Sequence, residues 1–128
     1  MAYTFPTQEK LKSKKLIDKL FKEGKSVSKY PLKLIYKEMA LLYNVPAQTA
    51  IAVPKRSFKS AVQRNRIKRL IRESYRLNKQ TVFNNMEGNF AFLFLYIGKE
   101  MPSYQEVEEA MVALLQKFIT KIKDEKVD

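Results

Sequence analysis

The residues Phe90-Ala91-Phe92-Leu93-Phe94-Leu95-Tyr96-Ile97 form the longest apolar run in this chain of 128 residues. A continuous apolar run is typical of a strand covered on both faces, because a strand with one exposed face would alternate apolar and polar residues. The run is far shorter than the roughly 20 residues that a helix needs to cross a bilayer. We therefore predict a central strand here, with other elements packed on both faces of its sheet.

Helices are predicted on either side of this strand in the sequence. Ser60, with Gln63 three residues later, has the spacing of a capping box and predicts the start of a long helix that ends near Lys79. Ser103 and Glu106 repeat that spacing before an apolar series at helical periodicity, which predicts the last helix of the chain.

A shorter helix and two further strands are predicted nearer the N-terminus. Residues 13–22 carry apolar side chains at helical spacing, with Ser13 as the N-cap. Residues 25–38 alternate as a half-buried strand would, and Pro31 confines that strand to an edge or to a start at this point. Residues 47–53 have the small and β-branched character of another strand. This order of elements favours an α/β or α+β two-layer sandwich, with helices packed on a small sheet.

The charge balance of the chain indicates a polyanionic partner. It has 25 Lys and Arg against 13 Asp and Glu, and the resulting net charge of +12 is far more than a small domain needs for solubility. Nucleic acid and an anionic membrane surface are the usual candidates. Because histidine and cysteine are absent, imidazole bases, thiolate nucleophiles and zinc sites built from either residue are excluded. The N-terminal residues do not resemble a secretory signal, so we expect a soluble, cytoplasmic protein.

The predicted long helix is unusually rich in cations. Between Arg64 and Lys79 it has seven Lys and Arg residues against one acid, Glu73. On a helical wheel its apolar residues share one face, and a basic arc of roughly 100° lies opposite. The members of that arc are Asn65, Lys68, Arg69, Arg72, Arg76 and Lys79. A row of cations at i, i+4 spacing, from Arg64 to Arg76, repels itself by about 1 kcal/mol in total. We infer that phosphate groups of a partner offset this repulsion.

The basic surface continues into the segment before the helix. Lys55, Arg56 and Lys59 extend it, and the N-terminus of the helix adds backbone donors for a phosphate. A membrane-binding helix would instead need large apolar side chains at the edge of its basic face. Only Tyr75 and Leu77 are candidates for that role, and burial explains them equally well. The pattern therefore favours nucleic acid over a membrane.

The first half of this helix resembles a known signature. Residues 61–73 read Ala-Val-Gln-Arg-Asn-Arg-Ile-Lys-Arg-Leu-Ile-Arg-Glu and are similar to the arginine-asparagine-arginine signature of the bacterial ribonuclease P protein family. Residues 11–24 resemble the first helix of that family, and residues 50–56 resemble the segment before its signature. The resemblance extends over most of the chain, from about residue 11 to residue 121.

This resemblance implies a fold and the residue range of the domain. The fold is an α/β two-layer sandwich of order αβββαβα, of the kind found in the second domain of a small-subunit ribosomal protein. It contains a left-handed βαβ crossover, against the usual right-handed rule for parallel connections. The whole chain, residues 1–128, would form a single domain, with residues 1–10 and 124–128 as flexible tails.

The resemblance also implies a function. Proteins of this family bind a large catalytic RNA and assist it in removing the 5′ leader from precursor tRNA. The RNA performs the hydrolysis and, with the substrate, holds the Mg²⁺ ions. We expect this protein alone to be an inactive monomer, with no catalytic or metal-binding residues of its own and no membrane contact. Its partners would be the RNA subunit and the leader of precursor tRNA.

Individual residues match positions of known role in the family. Positions that line the leader-binding cleft correspond to Arg64, Asn65, Lys68 and Arg72, and those turned to the RNA subunit to Arg66 and Arg69. The complete set of candidate RNA-binding residues is Lys55, Arg56, Lys59, Arg64, Asn65, Arg66, Lys68, Arg69, Arg72 and Arg76.

Three further residues are expected in or near the leader cleft. Phe21 corresponds to an aromatic position, where stacking on an unpaired nucleotide contributes about 1–3 kcal/mol, although a place in the core fits its pattern equally well. Lys33 and Tyr36 lie on a strand of the expected cleft. Ile17 occupies a place where the family often has phenylalanine, so one stacking contact would be missing.

Other classes of protein compete with this interpretation. A protein-only nuclease would need clustered carboxylates for magnesium, but compensation of the helix dipole explains Glu106, Glu108 and Glu109 sufficiently. A DNA-binding helix-turn-helix protein would have a helix, not a strand ending at Pro54, before its recognition helix. A ribosomal protein could carry the same charges, and only the signature argues against that class.

Overall fold

The computed structural model describes residues 6–41 and 44–126. A turn of 3₁₀ helix, Thr7–Glu9, comes before the main elements. In chain order these are α1 (Lys14–Glu23), β1 (Lys25–Lys29), β2 (Leu32–Glu38), β3 (Ala47–Ala52), α2 (Ala61–Phe83), β4 (Phe90–Tyr96) and α3 (Tyr104–Lys126). The predicted α/β sandwich of order αβββαβα is confirmed.

The apolar run forms an inner strand of the sheet, as predicted. The strand order is β1-β2-β4-β3, in which β4 pairs antiparallel with β2 and parallel with β3. The side chains of β4 are buried on both faces: Phe92 and Phe94 pack in the cluster shared with α2 and α3, and Ala91 and Leu93 in the cluster shared with α1. The connection from β3 through α2 to β4 is the parallel crossover, whose left-handed sense stays a prediction.

Serine caps fix where the helices begin. The hydroxyl oxygens of Ser13 and Ser60 each accept a hydrogen bond of 3.3 Å from the backbone amide three residues later. Before α3 the Ser103 hydroxyl accepts from the Glu106 amide at 3.1 Å, while the Glu106 carboxylate accepts from the Ser103 amide at 3.2 Å. That reciprocal pair is a complete capping box, which satisfies two amides that the helix itself leaves unpaired.

Two element boundaries differ from the sequence prediction. Residues 25–38 form the two strands β1 and β2 rather than one, because the chain reverses at Pro31 and its two halves pair antiparallel. Helix α2 ends at Phe83 rather than near Lys79. Its additional turn places Val82 in the core, and the apolar burial offsets the entropy of ordering those residues.

The expected flexible tails, residues 1–10 and 124–128, lie partly outside the described residues. Residues 1–5, 127 and 128 are in that outer portion. Residues 7–9 form the 3₁₀ turn, and residues 124–126 continue α3. Regular structure therefore extends further towards both ends of the chain than the sequence analysis expected.

Both outer strands of the sheet have contacts beyond their strand partners. On the β3 side, the segment before α1 forms an isolated parallel bridge to Thr49. On the β1 side, two lysines of α3 donate hydrogen bonds to backbone carbonyl oxygens of the strand. Lys117 Nζ donates to Ser28 at 2.8 Å, and Lys121 Nζ donates to Ser26 at 3.0 Å. The outward polar groups of both strands are thus partly occupied.

A buried hydrogen bond joins α2 to β3 and provides a test of this packing. The Thr49 hydroxyl donates to the Tyr75 hydroxyl oxygen at 3.0 Å, and both residues are buried. Tyr75→Phe removes the acceptor, so we expect the free energy of unfolding in urea to fall by about 1–3 kcal/mol. Thr49→Val with Tyr75→Phe removes both polar groups and should cost less than the sum of the single variants. Additive losses would show that the two hydroxyls do not interact.

Candidate nucleic-acid interface

Helix α2 separates an apolar side from a basic side, as predicted. Ile67 and Ile71 are completely buried against the sheet and α3. Arg66 and Arg69 are exposed and lie roughly opposite them on the helix. Arg72 is also exposed, on the flank between the two sides, where the 3.6-residue period places it one turn after Lys68.

A groove of about 360 Å³ lies along that flank of α2, and we call it the β3 groove. It is bounded by α2, by strand β3 and by the segment that leads into α1. Its lining residues are Lys10, Leu11, Lys12, Ile17, Thr49, Ala50, Ile51, Lys68 and Arg72. Four of them are cations and none is acidic, so the potential in the groove attracts a polyanion.

The two walls of the groove come from distant parts of the sequence. Lys68 and Arg72, which were predicted to face the leader, belong to the α2 wall. Lys10 and Lys12 form the opposite wall, and neither is among the predicted RNA-binding residues. No local pattern marks them, because they acquire a role only when the segment before α1 lies beside β3.

Phe21 and Lys33 lie on the side of the sheet that α1 covers. The ring of Phe21 is 55% exposed, so the structure does not place it in the core. It follows Ile17 by one helical turn on the same flank of α1, and Ile17 lines the β3 groove. Lys33 is half-buried, pairs with Leu95 across the sheet, and by strand alternation shares a face with Ile35, which packs against α1.

Tyr36 faces the other side of the sheet, contrary to the expected place in the leader cleft. It is 2% exposed and packs edge-on against Phe118, with ring centroids 4.9 Å apart. Its hydroxyl donates to Glu125 Oε1 at 3.3 Å. Burial, followed by the nearby Glu125 carboxylate, raises the pKa of the Tyr36 phenol well above its usual range. The residue is part of the core because its position in β2 alternates with that of Lys33.

Arg64 organises the loop before α2 instead of lining the groove. Its Nη1 donates to the carbonyl oxygen of Phe58 at 2.7 Å and to that of Lys59 at 2.9 Å. These bonds hold the loop that carries Lys55 and Arg56 close to the first turn of the helix. Arg64 therefore helps to position the other candidate cations that this loop carries.

Two members of the predicted basic arc, Arg76 and Lys79, have acidic partners within the chain. Arg76 Nε donates to Glu73 Oε2 at 3.2 Å, and this hydrogen bond lowers the pKa of the exposed Glu73 carboxyl. Lys79 is buried, with a side chain 3% exposed, and lies 2.6 Å from Glu9 Oε1. Lys79 is thus not part of the solvent-facing arc, because the N-terminal segment covers it.

The loop before α2 presents the remaining candidate cations. Lys55, Arg56 and Lys59 are exposed, as is Asn65 in the second turn of the helix. A second groove, of about 620 Å³, lies between this loop and the end of β4. Its lining residues are Pro54, Arg56, Ser57, Leu95, Tyr96, Ile97 and Lys99. Burial raises the pKa of the Tyr96 phenol to about 12, so this hydroxyl stays protonated beside the cations at neutral pH.

The acidic residues of α3 have structural partners. Glu106 caps its helix, Glu108 accepts hydrogen bonds from the Tyr104 hydroxyl and the Asn78 amide, and Glu109 accepts from Gln105. Within the described ranges no group of three or more Asp and Glu side chains could hold a metal ion. These carboxylates thus act as a helix cap and as hydrogen-bond acceptors for neighbouring side chains.

The helices can be compared with the length of apolar segment that crosses a bilayer. In residues 6–41 and 44–126, none of them is both long and apolar enough to span a bilayer. Of the two candidate membrane contacts of α2, Tyr75 is buried, whereas Leu77 is 42% exposed beside a mainly basic face.

Comparison with solved structures identifies the fold. The structure is similar to the ribonuclease P protein of Staphylococcus aureus, with a TM-score of 0.68 and 18% identity over 84% of this chain and 93% of that one. It is also similar to the ribonuclease P protein of Thermotoga maritima, with a TM-score of 0.67 and 24% identity over 85% of this chain and 96% of that one.

Comparison of sequences identifies the family. The family model described as Ribonuclease P matches residues 5–119. The ribonuclease P protein component of Porphyromonas gingivalis is 34% identical over 80% of this chain and 77% of its own length. That of Chlorobium phaeobacteroides is 37% identical over 84% of this chain and 82% of its own length. The chain therefore belongs to the ribonuclease P protein family, whose members are the protein component of a ribonucleoprotein endoribonuclease that processes tRNA.

Proposed function

We propose that the chain binds the single-stranded 5′ leader of precursor tRNA in the β3 groove and binds the catalytic RNA through the outer side of α2. The observation that carries this proposal is the alignment of four cations along one groove, two of which belong to the signature helix. The two surfaces share α2, so one helix would contact the substrate on its flank and the RNA subunit on its outer side.

The β3 groove suits an unpaired strand better than a duplex. The outer edge of β3 runs along the groove, with Ala50 on the face covered by α1 and Ile51 on the face covered by α2, and an extended strand can lie along that edge. Lysine and arginine on the walls would bind successive phosphates. Phe21 offers an exposed aromatic ring next to the groove, on which an unstacked base could pack. Lys33 and Asn65 would contact the same strand at the margins of the groove.

The outer side of α2 and the loop before it suit a structured RNA. Arg66 and Arg69 project from the helix, and Lys55, Arg56 and Lys59 project from the loop. Arginine forks bind phosphate oxygens in bidentate fashion, which favours the fixed backbone geometry of a folded RNA. In a helix-turn-helix protein a helix would come before α2, whereas here β3 and the loop do.

Bond cleavage would belong to the RNA subunit. Histidine and cysteine are absent from the chain, and the groove is lined by cations, apolar residues and Thr49, without the carboxylates that magnesium prefers. The RNA and the substrate phosphates would therefore hold Mg²⁺. The protein would act by positioning the leader and stabilising the complex, in the cytoplasm, and its charge of +12 would keep it monomeric before it meets RNA.

A reconstituted holoenzyme tests the leader-binding role of the groove. Lys68→Ala should weaken binding of precursor tRNA about tenfold, because a hydrogen bond to a charged group contributes about 1.5 kcal/mol, and should leave binding of mature tRNA unchanged. Lys123→Ala is the matched control, since this exposed lysine of α3 lies outside the groove. Equal losses for both tRNAs, or cleavage by the protein without RNA, would contradict the proposal.

The RNA-subunit role of the outer side is tested by salt dependence. Arg69→Ala should weaken binding to the ribonuclease P RNA and make the slope of log K against log salt shallower by about one unit. Titrations of the RNA subunit between low and moderate salt measure that slope. A slope equal to that of the unchanged protein would show that Arg69 does not contact a phosphate of the RNA subunit.

Stacking on Phe21 is tested by exchanging its ring. Phe21→Leu should lower the affinity for precursor tRNA by about 1–3 kcal/mol, because an aliphatic side chain cannot stack on a base. Phe21→Tyr, which retains the ring, should bind as the unchanged protein does. Because the side chain is 55% exposed, thermal unfolding should hardly change in either variant. If Phe21→Leu lowers the thermal stability but not the affinity for precursor tRNA, Phe21 has a structural role and does not stack on a base.

A further inference from the structure

Glu9 and Lys79 form a buried ion pair beside the β3 groove. Their side chains are 14% and 3% exposed, and the Lys79 ammonium lies 2.6 Å from Glu9 Oε1. The two residues are 70 positions apart in the chain. A buried pair of this kind contributes little net stability, because desolvation of two charges cancels much of their attraction. What the pair does supply is a defined position for the segment that carries Glu9.

That segment, residues 7–12, is called the strap, and it is held to β3 at several points. The Gln48 side-chain amide donates to the Gln8 carbonyl oxygen at 3.1 Å. Lys10 forms the parallel bridge to Thr49, and the Leu11 amide donates to the Thr49 carbonyl oxygen at 2.9 Å. With the ion pair, these contacts fix the strap to both β3 and α2.

The position of the strap determines the shape of the β3 groove. Lys10 and Lys12 of the strap line it from one side, and Lys68 and Arg72 of α2 line it from the other. Lys79 follows Arg72 by two turns on the same flank of α2. The ion pair therefore joins the strap to the same flank of α2 that carries Lys68 and Arg72.

We propose that the strap is the second phosphate-binding wall of the leader groove, with Lys12 and Lys10 as contacts and with the Glu9–Lys79 pair as the positioning element. This inference rests on the proposed leader-binding function and assigns it residues outside the signature. A single strand lying between the walls meets cations on both sides, and neither wall alone surrounds its phosphates. The recognised ligand is a single-stranded polynucleotide backbone, without a requirement for a particular base.

The test uses two kinds of variant in the reconstituted holoenzyme. Glu9→Gln with Lys79→Met removes both charges together, so that neither is left buried without its partner. Lys12→Ala removes a wall cation and leaves the ion pair intact. Glu23→Gln with Lys37→Met is a control for the loss of an ion pair as such, because this more exposed pair does not line the groove. The exchanged pair, Glu9→Lys with Lys79→Glu, serves as the rescue variant.

The measured quantity is the ratio of dissociation constants for mature tRNA and for precursor tRNA with a short leader. We expect the Glu9 and Lys79 double variant to lower this ratio about tenfold, which is the effect of one lost charge-assisted contact. Lys12→Ala should make the salt slope of precursor binding shallower by about 0.7, the value for one phosphate of a single strand. In the exchanged pair the ratio should lie between that of the double variant and that of the unchanged protein. In the control variant the ratio should equal that of the unchanged protein. In the control variant, the single-turnover rate at saturating holoenzyme and the affinity for the RNA subunit should also be those of the unchanged protein.

The possible failures are distinguishable. If Lys68→Ala lowers the ratio while the double variant and Lys12→Ala keep it, the strap is not a wall and the proposed leader function stands. If Lys68→Ala also keeps the ratio, the proposed function fails and this inference fails with it. Circular dichroism establishes whether the double variant is folded. If the double variant is unfolded, Lys12→Ala alone tests whether the strap is a phosphate-binding wall. An unchanged salt slope of precursor binding in that variant would contradict the proposal.

Discussion

The structure depends on the burial of β4 on both faces. This strand pairs with β2 on one side and β3 on the other, and its phenylalanines and small residues fill two separate apolar clusters. A strand of this composition is stable only when helices cover both faces of the sheet. Since α2 connects β3 to β4, its apolar side is committed to the core and its cations must face outwards. The basic surface that we propose to bind RNA is thus a consequence of how the core is closed.

The features that the sequence predicted correctly are those with local causes. Three helices begin directly after Ser13, Ser60 and Ser103, because the side chain of each serine accepts a hydrogen bond from the backbone amide three residues later. The continuous apolar run of β4 follows from burial on both faces. The separation of Ile67 and Ile71 from the cations of α2 follows from helical periodicity. In each case the deciding interaction lies within a few residues or within one element.

The features that could not be predicted depend on distant contacts. Alternation in β2 shows that Lys33 and Tyr36 point to opposite faces, but not which face is which, because both faces of the sheet are covered. Lys79 fits the basic arc by its position on the helix, yet it pairs with Glu9 at the other end of the chain. The lysines of the strap belong to the groove for the same reason. Only the assembled fold brings these residues together.

The contacts along the outer strands have a consequence for the free protein. The strap occupies part of the β3 border, and Lys117 and Lys121 occupy carbonyl oxygens of the β1 border. Unsatisfied backbone groups on such borders are the usual template for amyloid-like growth. Because both borders are partly engaged and the net charge of +12 repels other copies, we expect the folded protein to offer few sites for edge-to-edge association. The lysines of α3 occupy carbonyl oxygens at the edge of the sheet opposite to the β3 groove, so this engagement leaves the groove open.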